Sequence, residues 1–195
     1  MTLATMRPLS KPEIISYLLL QQVLWFLVVW GAAHGHLWWP AALTAAILAA
    51  ACWRAGPAWW RILAVIGVGL ACGFSVDGTL HKMGVIIYAG GDPGLAVPPA
   101  WILVLWSLFA GTLALPARAA LTSPVAAAIL GGIGGPLAYA GGRALGALSV
   151  NTTGLIVVGI CYAIGTAMIV LFANRLLPVP PQVRQLAPRP RTRQS

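Results

Sequence analysis

The sequence has very few charged residues and almost no acidic ones. Of its 195 residues 8% are charged, and Asp and Glu together number 3. An ordinary soluble domain has about 25% charged residues, whereas this chain is 59% hydrophobic with a mean hydropathy of +0.87. One soluble core cannot bury that much apolar surface, so the composition excludes a soluble globular protein and predicts an integral membrane protein.

Cysteine is also scarce, and its spacing is uninformative. Cys52, Cys72 and Cys161 all lie within apolar runs, and none belongs to a Cys-x-x-Cys pair. This pattern predicts neither a disulfide framework nor a zinc site, and each cysteine is expected to act as a small apolar side chain. We expect no metal and no cofactor.

Six apolar runs have roughly the length that crosses a bilayer, for which ~20 helical residues are needed. They predict an all-α, polytopic bundle of six transmembrane helices over residues 14–175, between a cytoplasmic N-terminal arm (1–13) and a disordered, Pro/Arg-rich cytoplasmic tail (176–195). The runs are Ile14–Ala33, Leu37–Trp53, Trp60–Leu80, Trp101–Leu115, Leu121–Tyr139 and Gly154–Phe172.

The basic residues give this bundle an orientation. Of the 12 Lys and Arg residues, only Lys82 and Arg143 fall on one side of the predicted membrane. Because cytoplasmic loops are rich in Lys and Arg, both termini are expected in the cytoplasm. The net charge of +9 does not indicate nucleic acid, since the basic residues form no single face; membrane lipids are the expected partners.

The fifth run has the most unusual local sequence. Gly131 and Gly135 have the spacing that lets membrane helices approach closely, and Gly67 with Ala71 repeats it weakly on the third run. Pro136 is expected to kink the fifth helix. Two interpretations remain open: a tightly packed kinked helix, or a broken helix that exposes carbonyl groups to a substrate.

Several short motifs resemble those of a bacterial family of small inner-membrane proteins, domain-of-unknown-function family 2878. They are the Gly-Gly-Pro-Leu-Ala-Tyr stretch at 134–139, Asp77-Gly78, Pro99-Ala100-Trp101 and Leu105-Trp106. The resemblance extends over about residues 14–175. It implies a polytopic bacterial inner-membrane protein without an established activity, associated with lipid-modifying enzymes, and it implies no catalytic residues.

The polar side chains that could form a site gather at the exterior ends of the predicted helices. Asp77 is the most informative, because a carboxylate near the edge of the hydrocarbon is costly unless it is paired, protonated or hydrated, and should face the bundle interior. His81, four residues later, shares its helical face. The candidate catalytic residues are Asp77, His81 and Arg143, and the candidate ligand-binding residues are Lys82, Tyr139, His34 and His36.

Three interpretations of this cluster remain open. Asp77 can pair with Lys82 or Arg143 and simply hold two helices together. With His81 it can form a general base and its orienting carboxylate, for a proton or a lipid headgroup. With His81 and His34 or His36 it can provide three metal ligands, although a His-x-His turn is a weak metal signal.

Two classes of function follow. The favoured one is a non-catalytic accessory or carrier in membrane-lipid metabolism, which assembles with a lipid-modifying enzyme or binds a small hydrophobic molecule. The alternative is a small membrane enzyme that acts on a lipid headgroup or an isoprenoid at the exterior leaflet through Asp77, His81 and Arg143.

Overall fold

The computed structural model describes residues 9–92, 94–119 and 121–177, which form six α-helices and one small sheet. The helices are α1 (Lys11–Ala33), α2 (Trp38–Arg54), α3 (Trp59–Lys82), α4 (Ala100–Ala114), α5 (Pro124–Ala144) and α6 (Thr152–Leu176). Each predicted run therefore corresponds to one helix. The predicted tail overlaps the end of α6, and its residues from 178 onward, like residues 1–8 of the arm, lie outside the described residues.

Four helical segments are long and apolar enough to cross a membrane: Lys11–Ala33, Gly56–Lys82, Pro124–Ala144 and Thr152–Leu176. The helices α2 and α4 are shorter, with 17 and 15 residues. At 1.5 Å per residue they measure about 26 and 23 Å, less than the ~30 Å of hydrocarbon. Four helices of the described part of the chain can therefore cross a membrane, and six spans remain a prediction.

Local capping explains why the helix ends differ from the predicted ones. The helix α1 begins at Lys11, three residues early, because Ser10 and Glu13 form a reciprocal capping box. The helix α5 begins at Pro124, since the Ser123 hydroxyl accepts a hydrogen bond from the Ala126 amide, and it continues through the glycine-rich stretch to Ala144. Pro136 lies inside α5, and its kink remains a prediction.

Close packing at glycine joins the helices in pairs. On α5, a Cβ atom at Gly131 or Gly135 would collide with Thr166 or Tyr162 of α6, so the predicted contact face of α5 is confirmed. On α3, Gly69 and Gly73 pack against α4. The prediction for Gly67 was wrong: a Cβ atom there would meet nothing within 4 Å, because Gly67 faces outward.

The segment after α3 adds a short sheet to the predicted all-helical fold. Strand β1 (Ile86–Tyr88) pairs antiparallel with β2 (Leu148–Val150), with Tyr88 opposite Leu148. Ile86 and Tyr88 are buried while Ile87 is exposed, which is the alternation expected of a strand with one covered face. This strand pairing holds Tyr88 beside the last turns of α3, where it reaches Asp77.

Candidate functional site

Asp77 is fully buried in the bundle, as its predicted inward orientation requires. Its carboxylate accepts hydrogen bonds from three neutral side chains that come from three different elements. Tyr88 Oη donates to Oδ1 at 2.6 Å, Trp106 Nε1 donates to Oδ2 at 2.6 Å, and Tyr139 Oη also donates to Oδ1. Three donors complement an ionised carboxylate, which can only accept.

The predicted partners of Asp77 were wrong. The His81 Nδ1 atom lies 3.1 Å from the carbonyl oxygen of Ile86, and the His81 ring packs on Tyr88 instead of meeting the carboxylate. Lys82 is exposed. Arg143 donates to the carbonyl oxygen of Val150, the last residue of β2, at 3.0 Å. Asp77 therefore forms no ion pair with any residue in the described ranges.

The hydrogen bonds continue from Asp77 through two tyrosines. Tyr162 Oη donates to Tyr139 Oη at 3.2 Å, and Tyr139 donates in turn to Asp77. The ring of Tyr162 also packs on that of Trp106, with centroids 4.8 Å apart. We call Asp77, Tyr88, Trp106, Tyr139 and Tyr162 the Asp77 network. It connects α3, β1, α4, α5 and α6 at one place in the bundle.

Tyr88 lies outside the helices, and its environment keeps its proton in place. Burial and the neighbouring Asp77 carboxylate both raise the pKa of the Tyr88 hydroxyl. A neutral phenol is therefore retained across the ordinary range of pH, and it remains a hydrogen-bond donor to Asp77.

A cleft of about 520 Å³ borders this network, with walls from α1, α4, α5 and α6. Its lining is mostly apolar and includes Trp25, Trp106, Gly134, Tyr139 and Tyr162. Leu130 and Leu137 line it and are also exposed on the outside of the bundle. The cleft therefore reaches the outer side of the bundle beside α5, and its volume lies in the ~300–1,000 Å³ range typical of small-molecule sites.

The two remaining histidines lie apart from the network. His34 and His36 are exposed in the turn between α1 and α2, where both rings stack on Trp30. His34 Nδ1 is bonded to the carbonyl oxygen of Trp30. Within residues 9–92, 94–119 and 121–177, no three His, Cys, Asp or Glu side chains come together, so the three-ligand metal interpretation has no geometric support there.

A family model described as a protein of unknown function, DUF2878, matches residues 13–171. The chain belongs to this family. The match covers most of the chain and confirms the resemblance seen in the sequence. No curated protein and no solved structure matches the chain.

Of the sequence-predicted candidates, Asp77 and Tyr139 belong to the network of this family member, whereas Arg143, Lys82, His34 and His36 do not contact Asp77. The prediction missed Tyr88, Trp106 and Tyr162. Trp106 carried a usable signal, because an indole N–H in the middle of an apolar helix, away from the interfacial belt, needs a buried acceptor. No sequence signal brings Tyr88 to Asp77, since that contact depends on strand pairing with residues about sixty positions later.

Proposed function

We propose that this protein is a non-catalytic carrier or accessory protein of membrane-lipid metabolism that binds one hydrophobic small molecule in the cleft between α1 and α5. The observation that carries the proposal is the cleft itself. It is lined mainly by apolar side chains, and its exposed rim residues Leu130 and Leu137 lie in the middle of an apolar helix. A ligand can therefore enter from the lipid phase without crossing water.

The proposal includes a bacterial inner-membrane location and six membrane spans with both termini in the cytoplasm. The unequal distribution of Lys and Arg supports this topology. The short helices α2 and α4 can span if the bilayer thins locally around them. Reporters fused after Ser195 and within residues 90–96 should report opposite compartments, and the same compartment for both would reject the topology.

The alternative of a small enzyme is less well supported. It requires Asp77, His81 and Arg143 to act on one substrate, but these side chains bond to separate partners: the Asp77 network, Ile86 and Val150. A binding function requires no such convergence. A lipid-modifying enzyme remains a natural protein partner for a carrier of this kind.

Two glycine variants test the binding function with a matched control. Gly134 lines the cleft, and a Cβ atom there would meet nothing within 4 Å. Gly134→Phe therefore places a ring in the cleft without a backbone collision. Gly67 of α3 has the same free space but lies outside the cleft, so Gly67→Phe introduces the same chemistry elsewhere.

The readout is native mass spectrometry of protein purified in mild detergent. We expect the parent and Gly67→Phe to retain one hydrophobic molecule per chain, and Gly134→Phe to lose it while keeping a similar unfolding temperature. Equal retention by Gly134→Phe, or no bound molecule in the parent, would reject the proposed function.

A further inference from the structure

The hydrogen bonds of the Asp77 network all run in one direction. Each phenol has a single proton. The Tyr139 proton goes to Asp77, so the contact between Tyr162 and Tyr139 must use the Tyr162 proton. Tyr88 and Tyr139 have oxygens 3.2 Å apart, but the Tyr88 proton is likewise directed to Asp77. Every donor therefore points towards the carboxylate.

This direction determines what the network offers to the cleft. Tyr162 lines the cleft, and its only proton is already used. No described residue donates a hydrogen bond to its oxygen, which therefore keeps its lone pairs for a ligand. At its cleft end the network is an acceptor, with a carboxylate two hydrogen bonds behind it.

The Thr166 hydroxyl, on the same wall of the cleft, has no hydrogen-bond partner among the described residues. Thr166, one turn after Tyr162, is buried and lines the cleft, and its Oγ1 atom bonds to none of the described residues. The hydroxyls of Thr44, Ser107 and Thr112 behave differently, since each donates to the carbonyl four residues earlier. The Thr166 oxygen lies instead beside Gly131, another cleft residue.

The rest of the cleft cannot balance a negative charge. Among the described residues, its lining contains no Lys, Arg or His. The indole N–H groups of Trp101 and Trp106 already donate to Ala89 and Asp77. The other donors of the lining, the Trp25 indole, the Thr166 hydroxyl and the amides of Gln21 and Gln22, are neutral. A phosphate or carboxylate headgroup would therefore be desolvated without a counter-charge and near a buried carboxylate.

We propose that the ligand is a long-chain amphiphile whose head is a hydrogen-bond donor, an alcohol or a primary amine, bound with that head at Tyr162. This inference rests on the proposed binding function. It excludes the phosphate ester of the same chain as the preferred ligand, and it predicts that a head without a donor hydrogen binds weakly.

The test uses four probes with one chain: hexadecanol, hexadecylamine, hexadecyl methyl ether and hexadecyl phosphate. Affinity for the full-length protein is measured in detergent by competition, with probe concentration expressed as mole fraction in the micelle. We expect the ether and the phosphate to bind roughly tenfold more weakly than the alcohol. A tighter amine than alcohol would identify a cationic ligand, and the reverse order a neutral one.

A variant locates the head. Tyr162→Phe should lose most of the preference for the alcohol over the ether, because the acceptor at the end of the Asp77 network is gone while the chain site and the Thr166 hydroxyl remain. Tyr17→Phe is the matched control, since Tyr17 of α1 is a half-buried tyrosine that does not line the cleft, and it should keep the parent's preference. Unfolding temperatures of both variants show whether a lost preference comes from lost structure.

Each result bears on a separate claim. If all four probes bind the parent alike, or if the phosphate binds best, this inference is rejected and the binding function stands. If no probe binds and native mass spectrometry finds no retained molecule, the binding function itself is rejected. If Tyr162→Phe is folded and keeps the parent's preference for the alcohol, the head does not bind at Tyr162.

Discussion

Two charged side chains are buried in the part of the chain that the structure describes, Arg118 and Asp77, and their partners differ in kind. Arg118 follows α4 and donates to Asn174 Oδ1 at 3.0 Å and to the Leu177 carbonyl at 2.6 Å. Both acceptors belong to the end of α6. Asp77 meets only neutral donors from β1, α4 and α5, and these lead onward to the cleft.

The partners of Arg118 indicate that it stabilises the end of α6. The last carbonyls of a helix have no partner within the helix, and a cation there also interacts favourably with the helix dipole. Burial lowers the pKa of the Arg118 guanidinium, but its ordinary value is so high that it stays charged. Arg118 thus supplies hydrogen-bond donors to acceptors at the end of α6.

Asp77 binds no backbone group at a helix end, since its hydrogen-bond donors are all side chains. The phenols and the indole around it could have been replaced by apolar side chains of similar shape without leaving any backbone group unpaired. The carboxylate is instead the acceptor on which Tyr88, Trp106 and Tyr139 converge, and it orients the hydroxyls that border the cleft. The two buried charges therefore differ in their partners: Arg118 binds the end of a helix, whereas Asp77 orients hydroxyls at the cleft.

The largest expected effect is that of Asp77→Leu. Removing the carboxylate leaves the Trp106 indole N–H buried without its acceptor, and it leaves the Tyr88 and Tyr139 hydroxyls with only the other phenol oxygens of the network to accept their protons. We expect a loss of about 3–5 kcal/mol in the free energy of unfolding, measured by denaturation in mixed micelles. Asp77→Asn keeps one acceptor oxygen and should lose less.

Asp92→Leu is the matched control, because Asp92 is exposed in the loop after β1 and its carboxylate accepts, among the described residues, only the Gly94 amide. It should change the unfolding free energy by about 0.5 kcal/mol or less. An Asp77→Leu protein as stable as the Asp92→Leu protein would show that the network does not stabilise the bundle.

The sequence predicted part of this site for physical reasons that can be stated. Helix positions followed from apolar length, and the inward orientation of Asp77 followed from the cost of a carboxylate in lipid. The partners were wrong because charge complementarity was used to choose them. Arg143 donates to a carbonyl of the nearby strand β2, while Trp106 and Tyr162, which each carry a polar hydrogen, were not among the predicted candidates.

A smaller effect is expected for Arg118→Met, which removes the donors to Asn174 and Leu177. We expect a loss of about 1–3 kcal/mol, since the freed acceptors lie at a helix end where water can reach them more easily than at Asp77. Ligand affinity and the preference for an alcohol over its ether should be unchanged. Denaturation and the competition assay measure the two properties separately.

The control is Arg175→Met. Arg175 is exposed in the last turn of α6, so its replacement should change the unfolding free energy little. If Arg118→Met removed most of the preference for the alcohol over its ether, as Tyr162→Phe is expected to do, the two buried charges would share one function and the contrast between them would fail.

The smallest effect is expected for Arg143→Met. Arg143 is exposed and donates only to the Val150 carbonyl among the described residues, so the unfolding free energy should change by about 0.5 kcal/mol.

The double variant Asp77→Leu/Arg143→Met then distinguishes two explanations of Asp77. If the two residues were an ion pair, the double variant would be more stable than Asp77→Leu alone, because neither charge would be left unpaired. With Asp77 held by neutral donors, the effects should add within ~0.5 kcal/mol. A double variant more stable than Asp77→Leu alone would support the ion-pair explanation. It would also remove the physical basis for an acceptor network at the cleft.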